Sequence, residues 1–146
     1  MRIDLTSIMV EDQEKALAFY TGILGFDKET DMPMEDGRVL TVVSLDDRGG
    51  AELLLKSNGN PFAKGYQKAF YDQRIPAISF GVDDIAKEYE RLTERGVHFL
   101  VAPTEEPWGW SALFDDTCGN VIGLHQIPPS PRGTPCSAEE TATSDL

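Results

Sequence analysis

Apolar and polar residues alternate at the start of the chain in a pattern that predicts a strand followed by a helix. Residues 3–10 alternate with a period of two, as in a strand with one buried face. Asp12 then provides an N-cap for a helix over residues 13–24, and Gly25 is typical of its C-terminal end. The helix carries an apolar stripe made of Ala16, Phe19, Tyr20 and Ile23. We therefore expect the strand and the helix to cover each other.

The next part of the pattern predicts more strands. Residues 26–37 are predicted as loop and turn because Pro33 interrupts them, with one more short strand over 26–32 as an open alternative. β-branched and apolar runs then predict antiparallel strands over residues 38–45 and 51–56.

A segment rich in aromatic residues separates the two halves of the chain. Phe62, Tyr66 and Phe70 recur every four residues, so a helix would carry all three rings on one face. Two interpretations stay open. The rings pack on the core or on a partner subunit, or they form a wall over an apolar site.

The second half of the chain repeats the plan of the first with a period of about 70 residues. A strand over residues 77–82 precedes a helix capped at Asp83 and Asp84, and the helix stripe contains Ile85, Tyr89 and Leu92. A strand over 97–101, a loop over 103–109 and a hairpin of residues 110–114 and 121–127 complete the unit. The repeat predicts an α+β fold made of two similar modules.

These patterns give one domain over residues 1–127. Module 1 covers about residues 1–57, a linker helix about 58–74, and module 2 about 75–127. Residues 128–146 are rich in proline, serine, threonine and acidic residues, which predicts a flexible tail.

The charge of the chain restricts its partners. The net charge is −12 and the isoelectric point is about 4.4, so nucleic acid and anionic membranes are not expected partners. Two interpretations of this charge stay open: it attracts a cationic ligand, or it is a surface charge that keeps the protein in solution. No apolar run has the length of a membrane span, and no signal-peptide core is present at the start, so we expect a cytoplasmic protein. Cys118 and Cys136 are interpreted as free thiols.

The hairpin over residues 114–126 resembles the closing hairpin of the vicinal oxygen chelate superfamily, which includes glyoxalase I, bleomycin resistance proteins and extradiol dioxygenases. The family pattern is D-P-D-G-N-x-x-E-L-x-Q, and its matches here are Asp116, Gly119, Asn120, Leu124 and Gln126. Shorter matches extend the resemblance over about residues 3–127, among them the Glu52-Leu53 pair and Pro107-Trp-Gly109. The resemblance implies two βαβββ modules whose curled, mixed sheets turn their open faces into a cleft, often with a homodimer completing the site.

The resemblance also identifies the four positions that hold a metal ion in the enzymes of this family. They fall on Leu5, Glu52, Ala77 and Gly123, and only Glu52 has a side chain that can ligate. Because such sites need at least three protein donors, we expect no metal and no other cofactor. A shifted site formed by Glu52, His125 and an aspartate is an alternative.

The cleft implied by the resemblance is apolar and lined with aromatic residues, which is typical of a small-molecule site. Its expected ligand-binding residues are Leu5, Ser7, Met9, Leu54, Phe62, Tyr66, Ala77, Ser79, Trp108, Trp110 and Gly123. Glu52 and His125 are the candidate catalytic residues, because a carboxylate or an imidazole can act as a general base.

The leading hypothesis is a metal-free protein that sequesters a small aromatic or cationic molecule, as antibiotic resistance proteins of the bleomycin type do. The first alternative is a lyase or isomerase that uses Glu52 as its base with help from His125. The second is a metal-dependent lyase or dioxygenase with a non-standard site, which the number of available ligands disfavours.

Overall fold

The computed structural model describes residues 1–128, which form two four-stranded sheets and three helices. The strands are β1 (Leu5–Val10), β2 (Asp27–Met34), β3 (Gly37–Val43), β4 (Glu52–Ser57), β5 (Ile78–Gly81), β6 (Phe99–Glu106), β7 (Gly109–Asp115) and β8 (Val121–Gln126). The helices are α1 (Gln13–Leu17), α2 (Pro61–Asp72) and α3 (Ile85–Glu94).

The two sheets have the same topology, as the internal repeat predicts. Their strand orders are β1-β4-β3-β2 and β5-β8-β7-β6. In each sheet the first and last strands pair in parallel and the other pairs are antiparallel. The α+β fold with two mixed sheets is therefore confirmed, and α2 connects the two modules.

Each helix begins at a polar cap, and the caps of α1 and α3 were predicted from the sequence. Oδ1 of Asp12 accepts a hydrogen bond from the backbone N–H of Lys15 at 3.1 Å, and Asp84 makes the equivalent bond at the start of α3. Asn60 caps α2 and is followed by Pro61, whose missing N–H costs nothing at a first helical position.

The first helix differs from the regular helix predicted over residues 13–24. It is α-helical only to Leu17 and continues as a π-helical turn over Ala18–Ile23. The hydroxyl of Thr21 donates to the carbonyl of Leu17 at 2.6 Å, and that carbonyl is the acceptor the backbone N–H of Thr21 would use in an α-helix. This side-chain hydrogen bond is one reason for the wider turn.

Two proline-containing segments predicted as loops are strands in the structure. β2 includes Pro33, so the loop interpretation of residues 26–37 is wrong and the alternative of a short strand over 26–32 is confirmed, with the strand extended to Met34. β6 extends through Pro103 to Glu106, well beyond the predicted end at residue 101. Both strands lie at the edge of their sheet. An edge strand tolerates proline because one row of its N–H groups has no partner strand.

The two modules share one hydrophobic core. Phe19 and Tyr20 on the first helix contact Phe114 and Phe80 of module 2, with ring centroids 6.3 and 6.4 Å apart. Side chains from the helix-covered faces of both sheets complete the cluster, including Ile8, Val10, Leu53, Leu55, Ala112, Ile122 and Leu124. Because the covered faces meet in this core, the open faces of the two sheets lie on the outside of the molecule.

Within residues 1–128, no helix combines the length and apolar character that a membrane crossing needs. The tail predicted over residues 128–146 lies outside the described residues from 129 onward.

Candidate functional site

The open face of module 1 is mainly apolar and exposed. β1 and β4 pair in parallel, with Leu5 beside Glu52 and Ser7 beside Leu54, so these side chains share the face opposite the core. Leu5 is 54% exposed, and Met32 and Met34 on the edge strand β2 are 52% and 58% exposed. These residues are exposed apolar surface, and such surface is commonly covered by a partner protein or a ligand.

Glu52 is the one acidic group in the middle of this apolar surface. It is half-buried, and its backbone N–H donates to the carbonyl of Asp4 at 2.9 Å. Within the described part of the chain, its carboxylate makes no hydrogen bond or ion pair to another residue. A catalytic base is usually held in place by such a partner, so the geometry within one chain favours contact with a ligand over catalysis.

The open face of module 2 carries His125, Trp108 and two glycines. The indole of Trp108 meets the imidazole of His125 edge to face, with ring centroids 6.4 Å apart, and Trp108 is 51% exposed. A Cβ atom at Gly81 would lie 3.3 Å from Nε2 of His125, so the imidazole lies against the bare backbone of this glycine. The result is an aromatic surface with small residues beside it.

Ser79 occupies the space in front of Gly123, the fourth metal-ligand position of the family. The two residues pair across β5 and β8, and a Cβ atom on Gly123 would lie 2.2 Å from the Ser79 hydroxyl oxygen. A glutamate at this position would therefore collide with Ser79 before it could reach a metal ion.

The four family positions do not provide a metal site of the usual kind. Leu5, Ala77 and Gly123 have no donor atom in their side chains, which leaves Glu52 alone. Across residues 1–128, no cluster of three or more His, Cys, Asp or Glu side chains is arranged to hold a metal ion. The residues thus do not fit the family's metal, and the shifted site with Glu52, His125 and an aspartate is not formed within one chain.

Trp110 lies on a different face from the one predicted. It pairs with Gln126 across the β7–β8 hairpin, and its neighbour on the same face, Ala112, pairs with Leu124 in the core. Gly123 pairs instead with Leu113. Since cross-strand partners point to the same side of a sheet, Trp110 is on the helix-covered side, and its assignment to the open face with Gly123 is wrong.

The rings of the linker helix are exposed. Phe62 is 88% exposed and Tyr66 is 60% exposed, and Tyr66 stacks on Phe70 with centroids 4.3 Å apart. The interpretation that these rings pack on the core of the same chain is therefore wrong for Phe62 and Tyr66. The alternatives of a partner subunit or a wall over a ligand remain predictions.

One chain does not bring the two candidate catalytic groups together. Glu52 lies on the outer face of the module 1 sheet and His125 on that of the module 2 sheet, with the shared core between them. A cleft that uses both open faces is therefore not formed within one chain.

The matched residues of the hairpin motif have structural functions. Asp116 is fully buried and accepts hydrogen bonds from the Tyr20 hydroxyl, the backbone N–H groups of Cys118 and Asn120, and the Asn120 side chain, all between 2.7 and 2.9 Å. Burial raises the pKa of Asp116, and these hydrogen bonds oppose that rise. This network was not predicted from the sequence, although the motif includes two of its members, Asp116 and Asn120.

Gly119 and Gln67 extend the network to the linker helix. The Gln67 amide donates to the carbonyls of Met9 and Cys118 at 3.0 Å, and a Cβ atom at Gly119 would lie 2.6 Å from its nitrogen. Gly119 also has a φ of +97°, so both space and backbone conformation require glycine here. Gln126 accepts a hydrogen bond from the first N–H of α3 at 2.8 Å. The motif therefore holds the two modules and the linker together.

A large polar groove lies between α2 and the β7–β8 turn. Its volume is about 730 Å³, and acidic and basic side chains alternate along it, among them Glu11, Lys64, Lys68, Asp72 and Asp115. Lys68 pairs with Asp72, and the Tyr71 hydroxyl donates to Asp115. Two of these pairs satisfy each other, and the charged lining makes the groove more like a solvated surface than an apolar ligand site.

Two mixed βαβββ modules with open apolar faces define a fold that is used for small-molecule binding and for metal-dependent chemistry. The model of the Glyoxalase/Bleomycin resistance protein/Dioxygenase superfamily matches residues 2–124, and the chain belongs to this superfamily. The resemblance seen in the sequence is thereby confirmed.

The similar proteins include relatives of unknown function and one antibiotic-binding protein. The uncharacterized protein YurT of Bacillus subtilis (strain 168) is 52% identical over 126 residues, which cover 86% of this chain and 99% of YurT. The crystal structure of UcmS2 superimposes with a TM-score of 0.75 at 32% identity, covering 86% of this chain and 97% of UcmS2. TnmS3, an antibiotic binding protein from Streptomyces sp. CB03234, gives a TM-score of 0.69 at 34% identity, covering 87% of this chain and 96% of TnmS3.

Proposed function

We propose that this protein binds a small aromatic or cationic molecule on its open sheet faces and sequesters it without chemical change. The observation that carries the proposal is the replacement of three of the four family metal-ligand positions by Leu5, Ala77 and Gly123, beside exposed apolar surface. What remains on these faces favours the burial of flat apolar groups over Lewis-acid chemistry.

The charge of the protein and its similarity to TnmS3 support the proposed ligand class. A net charge of −12 attracts a cation, and the half-buried Glu52 is a carboxylate that a ligand cation can reach. TnmS3 is an antibiotic binding protein at 34% identity over most of both chains. An antibiotic or another planar metabolite is therefore the ligand class that we expect, and resistance by sequestration in the cytoplasm is the expected biological effect.

We further propose that the binding cleft belongs to a homodimer. The open faces of one chain point away from each other, and they expose Leu5, Met32, Met34 and Trp108. In such a dimer, the open face of module 2 in one copy lies against the open face of module 1 in the other copy. This arrangement covers the apolar surface and brings Glu52 near the partner's aromatic residues.

Titration followed by tryptophan fluorescence tests the binding proposal. The ligands are bleomycin, an anthracycline and an anthraquinone, each added to the purified protein until saturation. A ligand on the open face quenches Trp108 and leaves Trp110 nearly unchanged, because the two indoles are on opposite sides of the sheet. Trp108→Phe should lose the signal, and Trp110→Phe, the matched control, should keep it. Absence of saturable quenching with all three ligands contradicts the proposal.

The main alternative is a metal-independent lyase or isomerase with Glu52 as its base. The position of Glu52 among apolar neighbours is the feature that favours this alternative. Glu52→Gln distinguishes the two functions. Sequestration predicts that the ligand is recovered with its mass and its chromatographic retention unchanged after incubation with either protein. Catalysis predicts a product that forms with the wild type and not with the variant, seen as a changed mass for a lyase or as a changed retention at the same mass for an isomerase.

A further inference from the structure

A second cavity lies at the seam between the two modules. Its volume is about 300 Å³, at the lower end of the range of small-molecule sites. The turn between β3 and β4 forms one side, and β5 and α3 form the other. Its lining residues include Leu24, Phe26, Ser44, Leu45, Asp46, Phe80, Val82, Glu88, Arg91 and Leu92.

The walls of this seam cavity are partly apolar and include two aromatic rings. Phe26 and Phe80 meet edge to face, with ring centroids 4.9 Å apart and planes at 64°. Leu45 is 54% exposed although it lines the cavity, so an apolar side chain stands at the mouth with little protein covering it. A ring inserted here would cover Leu45 and contact both phenylalanines, which is a favourable environment for an aromatic group.

The charges around the cavity select the polar end of such a ligand. Arg91 is already engaged, because its guanidinium donates to Glu88 and to the carbonyls of Ile23 and Leu24. Asp46, by contrast, makes no ion pair or side-chain hydrogen bond with any other residue of the described chain. Once Arg91 and Glu88 neutralise each other, the remaining charge at the mouth is negative.

We propose that the seam cavity is a second binding site, and that it takes a small amine carrying an aromatic ring. The ring packs between Leu45, Phe26 and Phe80, and the ammonium group faces the carboxylate of Asp46. Gly81 lines the seam cavity and also lies beside His125, so the seam cavity and the open face of module 2 are neighbours but have different walls.

Methyl NMR tests this proposal independently of the open-face site. The probe is 2-naphthylmethylammonium, added to full-length protein whose leucine and valine methyl groups are labelled with ¹³C. We expect saturable shifts of the Leu24, Leu45 and Val82 methyl signals, since these side chains line the seam cavity. The indole N–H signal of Trp108, read by ¹H–¹⁵N NMR in the same titration, reports the open face. Binding that changes only Trp108 contradicts the seam site and leaves the open-face proposal standing.

Three comparisons define the result further. Asp46→Asn should weaken binding of the probe by about 2- to 5-fold, which is the range expected for an exposed ion pair. Asp36→Asn makes the same charge change in the remote β2–β3 turn and should weaken binding of the probe less. Ser44→Phe fills the mouth and should reduce binding by at least about 10-fold. The anion 2-naphthoate should bind more weakly than the amine.

Several outcomes overturn the proposal. If the protein binds the amine and 2-naphthoate with equal affinity, Asp46 does not select the ammonium group. Methyl shifts that persist unchanged in Ser44→Phe place the probe elsewhere. Shifts of the same methyl signals that depend on protein concentration without any probe mean that a second copy of the chain, and not a small amine, covers this cavity.

Discussion

The hydroxyl of Tyr20 donates a 2.7 Å hydrogen bond to Oδ2 of Asp116 and thereby joins two residues that are 96 positions apart in the sequence. Tyr20 belongs to the first helix of module 1, and Asp116 begins the β7–β8 turn of module 2. Both side chains are fully buried. The bond is therefore a direct polar connection between the modules, placed where the sheets share their core.

Removal of this bond should destabilise the whole domain. Tyr20→Phe leaves the buried carboxylate of Asp116 with one donor fewer, and we expect a loss of about 1–3 kcal/mol in the free energy of unfolding. Urea denaturation measures it. Tyr71→Phe is the matched control, since its hydroxyl bonds Asp115 at 2.6 Å in a partly solvated place and should cost at most about 1 kcal/mol. Equal losses of unfolding free energy in the two variants would mean that the Tyr20–Asp116 bond stabilises the domain no more than the Tyr71–Asp115 bond does.

Asp31 should make stability depend on pH in the acid range. Hydrogen bonds from Arg38 hold the pKa of Asp31 at about 2, below its ordinary value of 3.8. The unfolded chain therefore binds a proton at this position before the folded protein does, and the stabilisation is present above pH 4 and is lost as the pH falls through about 2. Urea midpoints measured between pH 5 and pH 2 should fall less steeply in Asp31→Asn than in the wild type.

Asp36→Asn is the control for this measurement, because it removes a carboxylate that has no ion pair among the described residues. It should retain the slope of the wild type. A slope that flattens equally in both variants would show that general charge repulsion, and not the Asp31–Arg38 pair, governs the acid response.

The pairing of Ser79 with Gly123 predicts the outcome of restoring a metal-ligand side chain. Gly123→Glu forces its Cβ against the Ser79 hydroxyl, and we expect a loss of about 1–3 kcal/mol in the free energy of unfolding. Ser79→Gly removes the obstacle, so the double variant should recover part of that loss. A double-mutant cycle measures the coupling between the two positions. Additive effects would contradict the close contact.

Cys118 should resist thiol reagents in the folded protein. Burial, with a further contribution from Asp116, raises the pKa of its thiol to about 12, and the side chain is inaccessible. In a Cys136→Ser background, iodoacetamide at pH 8 should label the native protein far more slowly than the protein in urea, because labelling requires opening of the core. Rapid and complete labelling without denaturant would contradict the buried position.

Much of the fold could be predicted from the sequence because burial alternates with the period of each element. The repeat with its Asp12 and Asp84 caps was predicted, and the stripe of Ala16, Phe19 and Tyr20 is buried as expected. The errors at Pro33 and Pro103 have one cause. Proline excludes a central strand but not an edge strand, and the order of strands in a sheet is not visible in a local pattern.

The candidate site was harder to predict, because it depends on register and on the packing of the modules. Trp110 was assigned to the open face, but the register of the hairpin pairs it with Gln126, and a shift of one residue changes the face of every side chain. The outward direction of the open faces follows from contacts such as Phe19 with Phe114, which join distant parts of the chain. The seam cavity likewise combines residues of both modules.

Native mass spectrometry distinguishes sequestration from catalysis when it is applied to the protein as purified and after incubation with bleomycin, the anthracycline and the anthraquinone. We expect a dimer that carries no transition metal and gains the full, unaltered mass of a bound aromatic ligand. A monomer with one transition metal ion, or a ligand whose mass has changed on the wild-type protein and not on Glu52→Gln, would contradict sequestration and identify this chain as an enzyme of its superfamily.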